Sequence, residues 1–240
     1  QMKWSIVRPD AASFDFAPAD QVADLARRNG QRMRGHTLLW HGGNPSWLTG
    51  RSWECSELRP IVKQHVTTLV SRYADVVREW DVANEILDGG ANLRTSENPF
   101  IAACGIDIVK DAFRWAHEAD PKARLFLTDY DVEGVNPKSD AYLALVKDLL
   151  AEGVPVHGFG IQAHLDNREG APRSVQANLQ RFADLGLDVA VTELDVKVPL
   201  PMAIPSQASL RRQADVYGSV LDACLRVSRC TSFTVWGFTD

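Results

Sequence analysis

This chain has few cysteines, no excess of basic residues and no long apolar run, and each shortage removes a class of reading. No stretch reaches about 18 consecutive apolar residues, so no membrane-spanning helix and no membrane partner are expected. Basic residues number 26 against 31 acidic ones, a net charge of −5. With no basic stripe, nucleic acid is not an expected partner. The four cysteines, Cys55, Cys104, Cys224 and Cys230, make no Cys-x-x-Cys and no Cys/His cluster, so no structural metal is expected, and nothing calls for a cofactor. Cys224 and Cys230 flank an expected helix end and are expected to form a local disulfide. Cys55 and Cys104 fall in two expected loops and could bridge them, but spacing alone does not choose among the possible pairings. No Gly-rich phosphate turn follows the first strand, which counts against an open dinucleotide-binding sheet. No linker or shift in composition divides the 240 residues, so residues 1–240 read as a single domain, a length that single α/β barrels commonly reach. The Asn-x-Ser triplet Asn44-Pro45-Ser46 is blocked as a glycosylation acceptor by its proline. The chain starts at Gln1 without a signal peptide, a start that suggests trimming and says nothing about secretion.

What the chain does have is alternation of strand-like and helix-like stretches. Helices are expected over 17–29, 60–73, 106–119, 139–152, 173–185 and 206–226. Strands are expected over 34–40, 79–84, 124–128, 157–164, 188–193 and 232–236, with a strand remnant over 1–4. The helix signals are physical: Pro18 stands early and Gly30 late in the first, and Ile61, Val62, His65, Val66 and Leu69 recur on one face of the second. Repeated βα units predict a parallel sheet. The polar and aromatic residues gather at the strands' C-terminal ends: Trp40 and His41, Asn84 and Glu85, Asp129 and Tyr130, Gln162 and His164, Glu193, and Trp236. In a parallel α/β TIM barrel those ends form the face that carries the site.

Two stretches stand out. Arg78 to Glu85 reads as a strand delivering an amide and an acid to its tip, and Asp188 to Asp195 repeats the design with Thr192-Glu193-Leu194-Asp195. Two glutamates at two strand ends suit chemistry on a sugar. A retaining glycosidase uses one carboxylate to attack the anomeric carbon and one acid to protonate the leaving oxygen, with the two carboxyls about 5–5.5 Å apart. Two weaker signals fail on context. Asp129 to Gly134, with Asp140 beyond, half-matches a calcium loop, but a strand precedes it and its twelfth position is Asp rather than Glu. Gly158-Phe159-Gly160 lies inside a strand pattern and suggests close packing rather than phosphate binding.

Seven stretches, Met2-Lys3-Trp4, Arg34 to His41, Trp80 to Glu85, Asp129-Tyr130, Gly160 to His164, Thr192 to Asp195 and Thr234 to Gly237, occur in an order that resembles glycoside hydrolase family 10, the retaining endo-β-1,4-xylanases. The resemblance implies a TIM (β/α)8 barrel, incomplete in this sequence. It implies Glu85 as acid/base and Glu193 as nucleophile, with His164 bonded to the nucleophile and held by Asp195. Asn84 would bind the sugar 2-hydroxyl at the cleavage site. Lys3, His36, Trp40, His41 and Gln162 would bind sugar on the non-reducing side, Trp236 would wall the same subsite, and Tyr130 would lie on the aglycone side. The implied substrate is xylan or xylooligosaccharides, and the implied protein is a secreted, extracellular monomer. Trp4, Trp47, Trp53 and Trp115 are read as core residues, and His65, His117 and His157 as structural ones.

The match also has departures. Relative to the family, the first strand and helix, the last helix, the residues preceding Met2 and a tryptophan past Asp240 are missing, which implies a fragment of a longer domain. Gly42-Gly43-Asn44 replaces a loop that carries a sugar-binding glutamine, and Thr128 and Asp131 replace two asparagines. These changes leave room for a broader β-1,4-glucanase or mixed xylanase-cellulase, or for a silent carbohydrate-binding protein, although a pure binder has no need of both glutamates.

Overall fold

The computed structural model describes residues 1–200 and 204–237. The chain falls into two compact units, residues 1–127 with 149–156 and residues 128–148 with 157–240, treated in turn below.

The first unit opens with α1 (Trp4–Val7), where a strand remnant was expected. Lys3, with φ −69° and ψ 150°, is extended, and the helix begins at the next residue. Trp4 turns inward, gives its indole N–H to the Leu38 carbonyl at 2.7 Å and is 2% exposed, so burial of one large ring decides the local structure. Helix α2 (Ala17–Arg28) follows the expected span, with proline in its first turn and two arginines in its last. These suit the helix ends, where a missing N–H costs little and cations face the last carbonyls. Strand β1 (Met33–Leu39) precedes the short α3 (Ser46–Thr49) and α4 (Cys55–Arg72). The fourth helix starts five residues before the expected Pro60. A capping box between Glu54 and Glu57 satisfies its first N–H groups, which lets the helix form ahead of a proline that lacks its own donor.

Strand β2 (Val77–Asn84) lies parallel to β1, pairing Gly35 with Trp80 and His36 with Asp81. Glycine is required at position 35, because a Cβ there would come within 2.3 Å of the Trp80 ring. Helices α5 (Pro99–Cys104) and α6 (Asp107–Ala119) follow, and α6 packs on α4. The Asn98 side chain caps α5, a helix that was not expected, by accepting the N–H groups of Phe100 and Ile101. Cys55, at the start of α4, is disulfide-bonded to Cys104, at the end of α5. The pair thus sits on helix ends rather than in loops. The chain passes to the second unit within β3 (Arg124–Asp129).

The second unit contains most of α7 (Pro137–Ala151), then β4 (Gly158–Ile161), β5 (His164–Asp166), α8 (Val175–Ala183), β6 (Asp188–Lys197), α9 (Gln207–Leu225) and β7 (Cys230–Val235). Strands β4, β5 and β7 all pair in parallel with β6. The expected single strand over 157–164 is two strands, because Ala163 adopts φ 67° and breaks the run. The strand expected to end at Glu193 continues to Lys197, since His164 to Asp166 pair with Asp195 to Lys197. Phe159 stacks on Phe182 at 3.9 Å in the core of this unit. The expected Cys224–Cys230 disulfide is present and ties α9 to β7.

Candidate active site

In the first unit the predicted residues gather around Glu85. Glu85 follows the last residue of β2 and adopts φ 54°. Its carboxyl accepts the indole N–H of Trp40 at 2.8 Å and the amide N–H of Asn84 at 3.2 Å. His41 Nδ1 lies 3.6 Å from the same carboxyl. Asn84 is buried and Glu85 nearly so, so these donors meet the acid in a setting largely closed to water. Lys3 places its ammonium 5.2 Å from the centre of the Trp40 ring.

The Gly42-Gly43 pair has a packing reason. A Cβ on Gly42 would meet the Trp40 ring at 2.8 Å, and Gly43, at φ 63°, lies against Lys3 and Trp40. Asn44 closes the turn by donating to the carbonyls of Trp40 and His41 at 2.9 and 3.0 Å. The altered loop therefore packs closely against Trp40. His36 is held by Asp81, with Nδ1 3.0 Å from the carboxyl. Asp81 also takes the Arg34 guanidinium at 2.5 Å. Burial opposes ionisation of Asp81, but Arg34 and His36 outweigh it and hold the carboxyl below its usual range.

Sequence reading missed Arg94. This buried side chain donates to the Glu85 carbonyl at 3.1 Å and to the Leu87 carbonyl at 3.0 Å, and so fixes the backbone that carries Glu85. Set in a polar Gly- and Asn-rich loop, it reads in the sequence as one more solvated charge. Of the residues taken as structural here, Trp4 and His65 are fully enclosed and stack ring on ring at 3.6 Å.

In the second unit the gathering point is Glu193, on β6. His164 stands between two carboxylates, with Nε2 3.2 Å from Glu193 and Nδ1 3.0 Å from Asp195. The bond to Glu193, supported by Asp195, outweighs partial burial and pushes the ring's pKa up to about 9. At neutral pH the ring is an imidazolium donating from both nitrogens. Trp236 turns its ring edge-on to His164 at 6.0 Å and is half exposed, so it stands outside the core. Gln162 is buried beside Glu193, and its carbonyl accepts the Glu193 N–H at 3.1 Å.

Tyr130 lies at the end of β3, under the Lys138 ammonium 3.8 Å from its ring centre. Lys138 also donates to Asp129 at 2.7 Å and to the Tyr130 carbonyl at 2.9 Å. Burial raises the Asp129 pKa to about 6, against the pull of Lys138 and Tyr142. Lys138 was not singled out in the sequence, where it reads as a surface charge at a helix start. Among the described residues, no group of three or more His, Cys, Asp or Glu side chains could hold a metal ion, and no helix is long and apolar enough to cross a membrane.

Comparison with known proteins places these observations in a family. The model of glycosyl hydrolase family 10 matches residues 1–240. An endo-1,4-beta-xylanase of Agaricus bisporus is 41% identical over 239 residues, covering 100% of this chain and 70% of that protein. Endo-1,4-beta-xylanase B of Thermotoga neapolitana is 38% identical and is covered over 68% of its length. Native xylanase 10B from Thermotoga maritima superposes with a TM-score of 0.95 at 39% identity, over 100% of this chain and 73% of that one. Xylanase 10B from Thermotoga petrophila, solved in complex with xylobiose, gives 0.95 at 38%, over 100% of this chain and 72% of that one. The expected fold class, the α/β TIM barrel, holds over the portion that these residues span.

Proposed function

The chain belongs to glycosyl hydrolase family 10, and on that premise we propose that it is an endo-1,4-β-xylanase acting with net retention, with Glu193 as nucleophile and Glu85 as acid/base. The substrate follows from the relatives, which are named xylanases. The observation that carries the mechanism is the His164 bridge. A histidine ring held by Asp195 and aimed at Glu193 fixes the direction of that carboxyl, as a nucleophile needs. Glu85 instead meets the neutral donors Trp40 and Asn84.

In the first step Glu193 attacks the anomeric carbon as the glycosidic C–O bond breaks, and Glu85 gives its proton to the departing oxygen. In the second, Glu85 as carboxylate takes a proton from water, whose oxygen displaces Glu193 and restores the original configuration. Asn84 holds the 2-hydroxyl, a contact that strengthens as positive charge develops on the ring. Lys3, His36, His41 and Gln162 bind the glycone, Trp40 and Trp236 give it flat apolar faces, and Tyr130 serves the aglycone. Residues 1–240 act as one catalytic domain. Two disulfides suit an oxidising, extracellular setting.

The test is chemical rescue. Glu193→Gly with added azide is expected to yield a glycosyl azide of inverted configuration, and Glu85→Ala with azide one of retained configuration. Unimpaired release of reducing sugar from xylan by Glu193→Ala would refute the nucleophile assignment. Rates on xylooligosaccharides above those on cellooligosaccharides support the substrate, and the reverse order removes it.

A further inference from the structure

A second buried carboxyl in the unit that carries Glu193 has no part in the reaction just described. Glu133 is 5% exposed, and its Oε1 accepts the backbone N–H of Ala163 at 2.9 Å. Ala163 is the residue at φ 67° between β4 and β5, and His164 follows it directly. The neighbouring peptide groups are committed elsewhere. The Gln162 N–H donates to the Asp129 carbonyl at 2.9 Å, and the Ala163 carbonyl accepts the Asp195 N–H at 3.3 Å. The bond to Glu133 therefore secures the N–H of the left-handed residue that directly precedes His164.

The loop that carries Glu133 is itself clamped. Asn178, fully buried, donates to the Val132 carbonyl at 2.7 Å. Ser139 donates to the Gly134 carbonyl at 2.8 Å, and the Ser174 hydroxyl accepts the Val135 N–H at 3.0 Å. A Cβ on Gly134 would meet Pro172 at 2.8 Å and Ser174 at 2.9 Å, so the loop has no slack toward that side. A carboxyl fixed on a rigid loop and aimed at a strained peptide is a means of holding that peptide.

We propose that Glu133 is a positioning residue for the nucleophile: its carboxyl anchors the Gln162–Ala163 peptide, which seats the His164 imidazole between Glu193 and Asp195. The inference rests on the reading of Glu193 as nucleophile. Charged groups around it are the carboxyls of Asp131 and Asp129, with Lys138 paired to Asp129. Burial, with a smaller push from those two carboxyls, raises the Glu133 pKa to about 7. Both the acid and its anion keep an oxygen for the Ala163 N–H, so an amide of the same shape can replace it.

The test compares Glu133→Ala with Glu133→Gln by two readouts. Misplacing a reacting group by about 1 Å can cost about 100-fold, so Glu133→Ala is expected to lower kcat on xylooligosaccharides by about 10–100-fold with KM within about twofold, while Glu133→Gln stays within about threefold of the parent. Independently of turnover, the ¹⁵N-histidine resonances of His164 are expected to titrate near 9 in the parent and in Glu133→Gln. In Glu133→Ala that midpoint falls toward the ordinary histidine value. An unchanged His164 titration in Glu133→Ala overturns the proposal. Should Glu133→Ala fail to fold, the parent still decides. Its Ala163 amide resonance must shift in step with the Glu133 carboxyl near pH 7 and lose that step in Glu133→Gln, and absence of the step overturns the proposal. If the parent releases no sugar from xylan, the activity reading fails while the His164 titration still decides the positioning role.

Discussion

His65 is enclosed on every side, and replacing it with phenylalanine tests how a buried ring sets acid stability. The imidazole is 0% exposed and stacks on Trp4 at 3.6 Å, with Phe14 at 6.1 Å. Both ring nitrogens are buried with no hydrogen-bond partner among the described residues. Burial first, and the nearby Arg8 guanidinium second, push its pKa well below the usual histidine value. Above about pH 6.5 the ring is neutral in both folded and unfolded chains, and contributes no pH dependence. Below that value the unfolded chain takes up a proton that the folded one refuses, so stability falls as pH falls. Proton uptake by the unfolded chain limits the loss to at most about 1.4 kcal/mol at pH 5.5 and about 2.7 kcal/mol at pH 4.5. His65→Phe removes this loss. At pH 7.5 relief of two unsatisfied nitrogens, about 1–3 kcal/mol each, opposes about 1–3 kcal/mol of overpacking by the larger ring. The informative quantity is therefore the difference between the two proteins as pH changes. Thermal unfolding followed by circular dichroism from pH 7.5 to 4.5 should show the variant gaining steadily on the parent as pH falls, by at most about 5–10 °C across that range. A difference that stays flat with pH would mean that the folded chain protonates His65 as readily as the unfolded one, and the argument from burial would be wrong.

Other consequences follow from single contacts. Gly160→Ala places a methyl 2.6 Å from Thr128 and 2.7 Å from Thr192, so urea unfolding should report a loss of about 1–3 kcal/mol; no loss would show that β4 can shift to make room. The Cys55–Cys104 bond spans a sequence separation of 49 and Cys224–Cys230 one of 6. Loop entropy then gives about 4 and about 2.4 kcal/mol, so Cys55→Ser/Cys104→Ser should unfold at lower urea than Cys224→Ser/Cys230→Ser, and the opposite order would refute the loop argument. His164 has its pKa raised, so its contribution is whole below about pH 6.5 and is lost as pH rises through about 9. Its side chain is 34% exposed, and screening leaves about 1 kcal/mol, which should disappear between pH 6.5 and 10 in the parent and be missing throughout in His164→Gln.

The fold was legible wherever a periodic apolar face coincided with a local stop signal. Helix α2 is bracketed by an early proline and by Gly30, and β2 ends where the acid-amide pair begins. Legibility failed where a distant partner decided the outcome. Pro60 looks like a helix start, yet α4 begins earlier because the Glu54–Glu57 capping box and the bond to Cys104 stabilise the turns before it. The N-terminal residues look extended, yet Trp4 finds a buried slot against His65 and Phe100 and the chain coils to fill it. The glutamates stood out as a pair at two strand ends, and the roles of His164 and Asp195 came from the resemblance to the family. Arg94, Lys138 and Glu133 could not, because a charged residue in a loop is ordinary until its burial and its carbonyl or N–H partner are known.

The backbone strain follows the same division. Four described residues other than glycine take the left-handed region: Glu85, Ala91, Asp131 and Ala163. Three of them lie near strand ends, after β2, after β3 and between β4 and β5, and all three carry or flank a side chain given a role in the proposed reaction. Such a conformation costs about 1–3 kcal/mol and persists only when the surroundings over-determine it. At Glu85 the carbonyl is held by Arg94 and the carboxyl by Trp40, from nine and 45 residues away. At Ala163 the N–H is held by Glu133, from 30 residues away. A glycine at either position would relax the strain, but at position 85 it would delete the acid, and at 163 it would loosen the peptide that aims His164. The local rule is therefore broken where side-chain direction matters most, and most of the compensation comes from residues 30 and 45 positions away.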